Sequence, residues 1–442
     1  MAGLLRSRLS HPALILLSSL FSRYNPAMKI LQLSQAYHPV RGGAEWMIQQ
    51  LCEQMATQYQ DEVTVYTAAV TKPIYFWKDE GGPMPVGVET INGVTVRRFP
   101  VYRGFQTARQ LAAHGFHRFK LPYHDWARSL QVGPIIWGLA DEVANSKADV
   151  VMAGTFPFLH MHYAVRGAKK ANLPVVLLGA IHADDVWGYD RAHFFKDIAR
   201  ADAYLALTEF EKELVVSRGA QANKVFVVGG GVWPEPFEQA QREAARQKYG
   251  WGDDPVIVVL TRQSALKGLD ALVEAMPLVW QWVPNVRLLL AGAKREYTAV
   301  LETWRQNLSA AQSEKVTLIN DFPEAEKAQL LKAANFLVHT SANESFGIVF
   351  TEAWAAGIPV IGANVGAIAS LITDGQDGLL FKPNNAQHLS QKMIEMLENP
   401  TKQAEMGKNG LAKVHAKYNW THIAQRVREI YQQVIEWKRE ER

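Results

Sequence analysis

Glu344 and Glu352 stand eight residues apart in the stretch NESFGIVFTEAWAAGIPVIGAN, residues 343–364. Between them Ser345, Phe346 and Gly347 lead into a run that is apolar nearly all round, with Ile348, Val349, Phe350, Ala353 and Trp354. This pattern predicts a helix that begins at 345 or 346 and stops at Gly357, with Pro359 just beyond its end. The first N–H groups of a helix lack intrahelical acceptors, so the amides of 346–349 could hold an anion. Glu344, in the loop before the helix, is placed to accept hydrogen bonds from sugar hydroxyls, and Glu352, two turns in, to reach a ribose diol. The competing reading makes Glu344 a complement to the helix dipole, worth under about 1 kcal/mol, and Glu352 a solvated residue. A helix apolar on every side instead encloses Glu352, and an enclosed carboxylate needs a partner.

Two cations have a similar setting. Arg262 and Lys267 follow the apolar run 256–260, five residues apart, with Gly268 next. A planar fork and a point charge at the mouth of one strand can converge on a diphosphate; without that context they are two surface cations. Gly42 and Gly43 precede a helix starting near Trp46, where glycine lets backbone approach a ligand or simply makes a tight turn. His182, one of thirteen histidines, follows a buried strand in GAIHADD.

Some chemistries are excluded. There is no G-x-G-x-x-G after the first strand, and the second ends in Tyr66-Thr67-Ala68 without a ribose-holding acid, so a nicotinamide site is not expected. No Asp-x-Asp occurs anywhere. With Arg262, Lys267 and helix amides to neutralise leaving phosphates, the chemistry requires no metal and no cofactor.

The elements that must position these residues alternate between short Val/Ile/Leu runs and helical stretches, the pattern of parallel sheets covered on both faces. Strands are expected at 29–34, 62–67, 94–99, 149–153, 175–181, 203–207 and 225–228, and in a second series at 256–260, 286–291, 316–319, 336–339, 360–362 and 378–381. The Gly/Pro-rich GGGVWPEP, residues 229–236, separates the two series. The chain therefore reads as an α/β protein with two doubly wound domains, 28–235 and 236–420, and a terminal amphipathic helix over 421–442. Residues 1–27 carry two arginines and an apolar run too short to span a bilayer, and read as an extension or as sequence upstream of a start at Met28.

At 442 residues, with 48% hydrophobic and 20% charged residues, the composition is that of a soluble multidomain protein. The single cysteine, Cys52, rules out an internal disulfide and points to a reducing cytoplasm. Residues 97–128 hold seven Lys/Arg against one acid, Asp125, interleaved with aromatic residues. Such a segment suits anionic lipid headgroups or an acidic acceptor; a solvated surface around anchored aromatics fits equally. Nucleic acid is not an expected partner.

Taken together, Glu344-Ser345-Phe346-Gly347, Glu352-Ala353 and Gly357-Ile358-Pro359-Val360 resemble the paired-glutamate signature of retaining glycosyltransferases of the family-4 type, which have the two-Rossmann-domain architecture called GT-B. Arg262 with Lys267-Gly268 resembles that family's diphosphate-binding pair, Gly42-Gly43-Ala44-Glu45 its N-terminal glycine loop, and His182 its histidine at the end of an N-domain strand. The resemblance covers nearly all of 28–442. It implies a nucleoside diphosphate sugar as donor, bound by Gly42, Gly43, Arg262, Lys267, Glu344, Ser345, Phe346, Gly347, Ile348, Val349 and Glu352. His182, Arg262, Lys267 and Glu344 would be catalytic, and the acceptor a glycan, a lipid-linked or a small molecule, with the protein cytoplasmic or peripheral at the inner membrane face. A sugar phosphorylase, a sucrose-type synthase or a non-catalytic sugar-nucleotide binder on the same fold are the alternatives. One departure stands out: where the family often has Gly-Val-Asp, this chain has Gly231-Val232-Trp233.

Overall fold

A computed structural model describes residues 27–40 and 42–441; the expected extension 1–27 lies, but for its last residue, outside the described residues. Eight strands form the first sheet: β1 (Lys29–Ser34), β2 (Glu62–Ala68), β3 (Gly87–Ile91), β4 (Val94–Phe99), β5 (Val150–Gly154), β6 (Val175–Leu178), β7 (Ala203–Ala206) and β8 (Val225–Val227). Six form the second: β9 (Val256–Leu260), β10 (Arg287–Gly292), β11 (Val316–Asn320), β12 (Phe336–His339), β13 (Val360–Ala363) and β14 (Gly378–Phe381). Their orders are β3-β4-β2-β1-β5-β6-β7-β8 and β11-β10-β9-β12-β13-β14. All pairs are parallel except β3–β4. Each sheet reverses its strand order at one point, between β1 and β5 and between β9 and β12, where an open α/β sheet leaves a crevice at its carboxyl edge.

Near-continuous burial along the central strands, such as Val150–Gly154 and Phe336–His339, explains why apolar runs located them. The sequence reading had no β3, and the reason is visible in its exposure. Every residue from Gly87 to Thr90 is exposed, so this antiparallel edge strand has no apolar pattern to read. The strand expected at 175–181 stops at Leu178, because Ala180 turns the chain into the left-handed region at φ +73°.

Five helices matter for the site: α1 (Gly43–Gln58), α2 (Gln106–Arg118), α3 (His124–Val132), α4 (Ile348–Ala355) and α5 (Trp420–Glu440). The chain passes between the sheets twice, and the two passages are paired. Val232 N donates to Tyr418 O at 2.8 Å and Trp420 N to Val232 O at 3.3 Å. Helix α5 then packs back on the first domain, where Arg428 Nε donates to buried Asp61 Oδ2 at 2.9 Å. Trp233, at the position of the family's acid, donates from Nε1 to Gln50 Oε1 of α1 at 2.6 Å, so the indole serves the junction between the lobes.

Candidate active site

Arg262 and Lys267 lie in the loop after β9, and Glu344 to Gly347 in the loop after β12. These are the two strands that flank the crevice of the second sheet. Gly268 lets the two loops meet. Its φ is +61°, and a Cβ there would fall 2.8 Å from Thr340 O, while Thr340 Oγ1 donates to Lys267 O at 2.7 Å.

The helix after Glu344 begins later than its sequence pattern predicts. Gly347 caps it at φ +92°, ψ 62°, and the first helical residue is Ile348, so Ser345 and Phe346 belong to the loop. The apolar run could not reveal this, because Phe346 is buried for another reason. Its ring packs 5.6 Å from that of Tyr418, and a Cβ on Gly230 would touch it at 2.7 Å. The side chain of Phe346 thus holds the interlobe junction and leaves only backbone for a ligand. The N–H groups at the start of α4 begin at Ile348 and Val349.

Glu344 lies in the loop before the helix, as its sequence position implied, and one of its oxygens already has two partners in the protein. Lys267 Nζ and His339 Nε2 both reach its Oε1, the latter at 2.9 Å. Burial opposes its ionisation, but hydrogen bonds and charge from His339 and Lys267 outweigh that and hold the carboxyl well below the usual range. Glu352 is 9% exposed and takes Lys327 Nζ on Oε1 at 2.8 Å. Burial pushes its carboxyl up, and Lys327 only partly offsets this. Lys327 carried no signal in the sequence, because a chain reversal brings it to Glu352, and His339, five residues before Glu344, read only as the end of a buried strand.

Across the crevice, the first lobe contributes Gly43 and His182. A Cβ on Gly43 would lie 3.7 Å from Ile348 Cδ1 of the other lobe. Gly42 caps α1 beside Glu45, whose Oε2 would meet a Cβ on Gly42 at 2.2 Å, and Gln35 Nε2 donates to Glu45 Oε1 at 2.8 Å. His182 Nδ1 lies 3.1 Å from Asn343 Oδ1 of the second lobe. An amide oxygen only accepts, so this bond calls for a proton on Nδ1, and in the neutral imidazole Nε2 is then an acceptor. The backbone that presents His182 is held by buried Glu211, which accepts from Ile181 N at 3.1 Å, Leu207 N at 2.7 Å and Tyr204 Oη at 2.8 Å. Asn343, Glu211 and Tyr189, whose ring lies 5.5 Å from that of His182, were all missed by the sequence reading.

Residues of both lobes therefore line one cavity of about 290 Å³, among them Gly43, His182, Arg262, Lys267, Glu344 and Ile348. Glu352 and Val349 are not among its lining residues. Among the described residues no three His, Cys, Asp or Glu side chains gather as a metal-ligand set.

Comparison with known proteins gives this arrangement a family. Residues 241–413 match the model of the glycosyl transferases group 1. The D-inositol 3-phosphate glycosyltransferase of Kribbella flavida is 30% identical over 389 residues, covering 82% of this chain and 86% of that protein. The chain belongs to the group 1 glycosyltransferases. A second relative, the GDP-mannose-dependent monoacylated alpha-(1-6)-phosphatidylinositol monomannoside mannosyltransferase of Corynebacterium glutamicum, is 30% identical over 205 residues, 45% of this chain and 52% of its own length. The chain spans about half the length of several of the curated relatives it matches. The crystal structure of Anabaena HepE in complex with UDP has the same fold, with a TM-score of 0.69 at 20% identity over 92% of this chain and 100% of that one. The group 1 fold of two facing Rossmann-like domains is thus the GT-B architecture that the motifs implied.

Proposed function

We propose that this protein transfers a hexose from a nucleoside diphosphate sugar to an acceptor hydroxyl with retention at the anomeric carbon. One observation carries the reading: Arg262, Lys267, Glu344 and the start of α4 from one lobe, and His182 from the other, line a single cavity at the crevice between the sheets. The donor's diphosphate is held by Arg262, Lys267 and the amides of Ile348 and Val349, where a helix N-terminus favours an anion. Glu344 addresses the sugar, and Glu352 the nucleotide ribose. Gly42 and Gly43 keep the first lobe's backbone close to the donor.

As the bond from the anomeric carbon to phosphate oxygen breaks, positive charge grows on the sugar and negative charge on the diphosphate, which the two cations stabilise. The acceptor oxygen bonds to the same face, and its proton passes to the departing phosphate oxygen. His182, with Nε2 unprotonated, accepts a hydrogen bond from a sugar or acceptor hydroxyl. No protein nucleophile is used, and no metal is called for by this charge arrangement.

The acceptor binds on the first-lobe side and is a glycan, a lipid-linked or a small molecule. The names of the relatives support a UDP- or GDP-linked sugar and, in the mannosyltransferase, a lipid acceptor. The test is thermal stabilisation by UDP, GDP, ADP and their hexose conjugates with EDTA present. A selective rise with one nucleotide sugar supports the reading, and no rise with any of them overturns it.

A further inference from the structure

The basic, aromatic segment 97–128 is not one continuous charged surface. Arg97 pairs with Glu142 at 2.7 Å, Arg98 with Glu89 at 2.8 Å, Arg103 with Asp79 at 2.5 Å, and Arg128 with Asp125 at 2.6 Å. Arg109 donates to Leu130 O at 2.9 Å. That leaves Arg118 and Lys120, both exposed and without an ion-pair partner among the described residues. They sit where α2 turns into α3, and the residues alternating with them are apolar and exposed: Phe119 is 70% exposed, Leu121 41% and Tyr123 77%. Lys120 and Tyr123 hold φ at +48° and +65°, a region that side-chain-bearing residues rarely adopt. The one acid nearby, Asp125, is neutralised by Arg128.

We infer that this α2–α3 tip docks on an anionic lipid bilayer surface, with Phe119, Leu121 and Tyr123 entering the headgroup boundary and Arg118 and Lys120 meeting lipid phosphates. Exposed aromatic and aliphatic side chains interleaved with unpaired cations are complementary to such an interface: the apolar groups leave water and the cations stay at the charged plane. The same hairpin grips the segment that follows His182. Arg128 donates to Val186 O at 3.0 Å, Trp187 O at 2.9 Å and Asp190 O at 2.6 Å. The Trp187 ring packs on His114 and His117 of α2 at 4.7 and 5.0 Å. Docking at the tip therefore orients the His182 side of the cleft relative to the membrane, and the acceptor class it selects is a lipid-anchored one. That last step rests on the proposed function, whereas the docking itself does not.

The experiment is co-sedimentation of the full chain with vesicles of phosphatidylcholine alone and of phosphatidylcholine mixed with phosphatidylglycerol, at low and raised salt, alongside thermal shifts with UDP and GDP sugars. Binding to the anionic vesicles alone, weakened by salt, is expected. Phe119→Ser with Tyr123→Ser should lose at least about tenfold in binding, and Arg118→Gln and Lys120→Gln on the order of fivefold each. All these variants should keep the wild-type thermal midpoint and nucleotide-sugar shift. No wild-type binding at low salt, or undiminished binding by the serine variant, overturns the inference, as does capture by polygalacturonate in place of vesicles. Vesicle binding without any nucleotide-sugar shift leaves the docking surface standing and removes the donor reading.

Discussion

Lys267 Nζ donates to Glu344 Oε1, and His339 Nε2 shares that same oxygen at 2.9 Å. The lysine and the glutamate come from loops after β9 and β12, 77 residues apart in sequence. A cation proposed for the diphosphate and a carboxylate proposed for the sugar thus hold each other in place, which preorganises both for the charge that develops between them.

Removal of either cation should be costly in the transition state. Lys267→Ala and Arg262→Ala are each expected to lower kcat by at least about a hundredfold, or about 3 kcal/mol. Steady-state kinetics with the donor found by the thermal screen decides this. A fall of less than tenfold for Lys267→Ala would remove the lysine from the chemistry.

Glu352→Gln should act on binding, since Glu352 sits a turn inside α4 against Lys327. Donor affinity measured by calorimetry should weaken by about tenfold or more with kcat less affected. Unchanged affinity would leave Glu352 as a structural partner of Lys327 alone.

The Glu344 carboxyl also predicts a pH dependence of stability. Its folded-state value is depressed, so the stability it supplies is present above the unfolded glutamate value of about 4.3 and is lost as pH falls through the folded value. The thermal midpoint of Glu344→Gln should therefore lie below wild type at neutral pH, with the gap closing as the solution is taken below about pH 4. A gap that stays constant would show that the carboxylate is not linked to folding.

The pair that ties α5 to the first lobe makes a stability prediction. Arg428→Met leaves the carboxylate of Asp61, a fully buried side chain, without its guanidinium. Breaking a buried pair on one side costs about 3–5 kcal/mol, visible in a denaturant midpoint for the first lobe. Asp61→Asn with Arg428→Met should recover part of it.

A crowding prediction concerns the paired passages between the lobes. A Cβ on Gly231 would lie 2.3 Å from the Trp420 ring, so Gly231→Ala should destabilise the junction by about 1–3 kcal/mol. Gly219→Ala, at a surface glycine with φ +104° and open space around its Cβ position, is the control for backbone strain alone.

The sequence by itself determined the two sheets, the break between them and the motif residues after β9 and β12. A strand buried on both faces must be written as an apolar run, and a loop at its carboxyl end stands out by contrast. It also determined that Glu352 could not be solvated, because the helix around it is apolar on every side. Edge strand β3 was not legible, since exposure on both faces leaves no pattern. The start of α4 was misplaced because Phe346 is apolar for the sake of a junction that local periodicity does not encode. Only the tertiary structure decided the partners: Lys267 with Glu344, Lys327 with Glu352, Asn343 with His182, and Arg428 with Asp61. Each joins residues that chain reversals bring together, the last across 367 positions. Hydrogen bonds depend on distance and direction in space, and a polar residue far along the chain looks the same in sequence whether it faces water or a buried carboxylate.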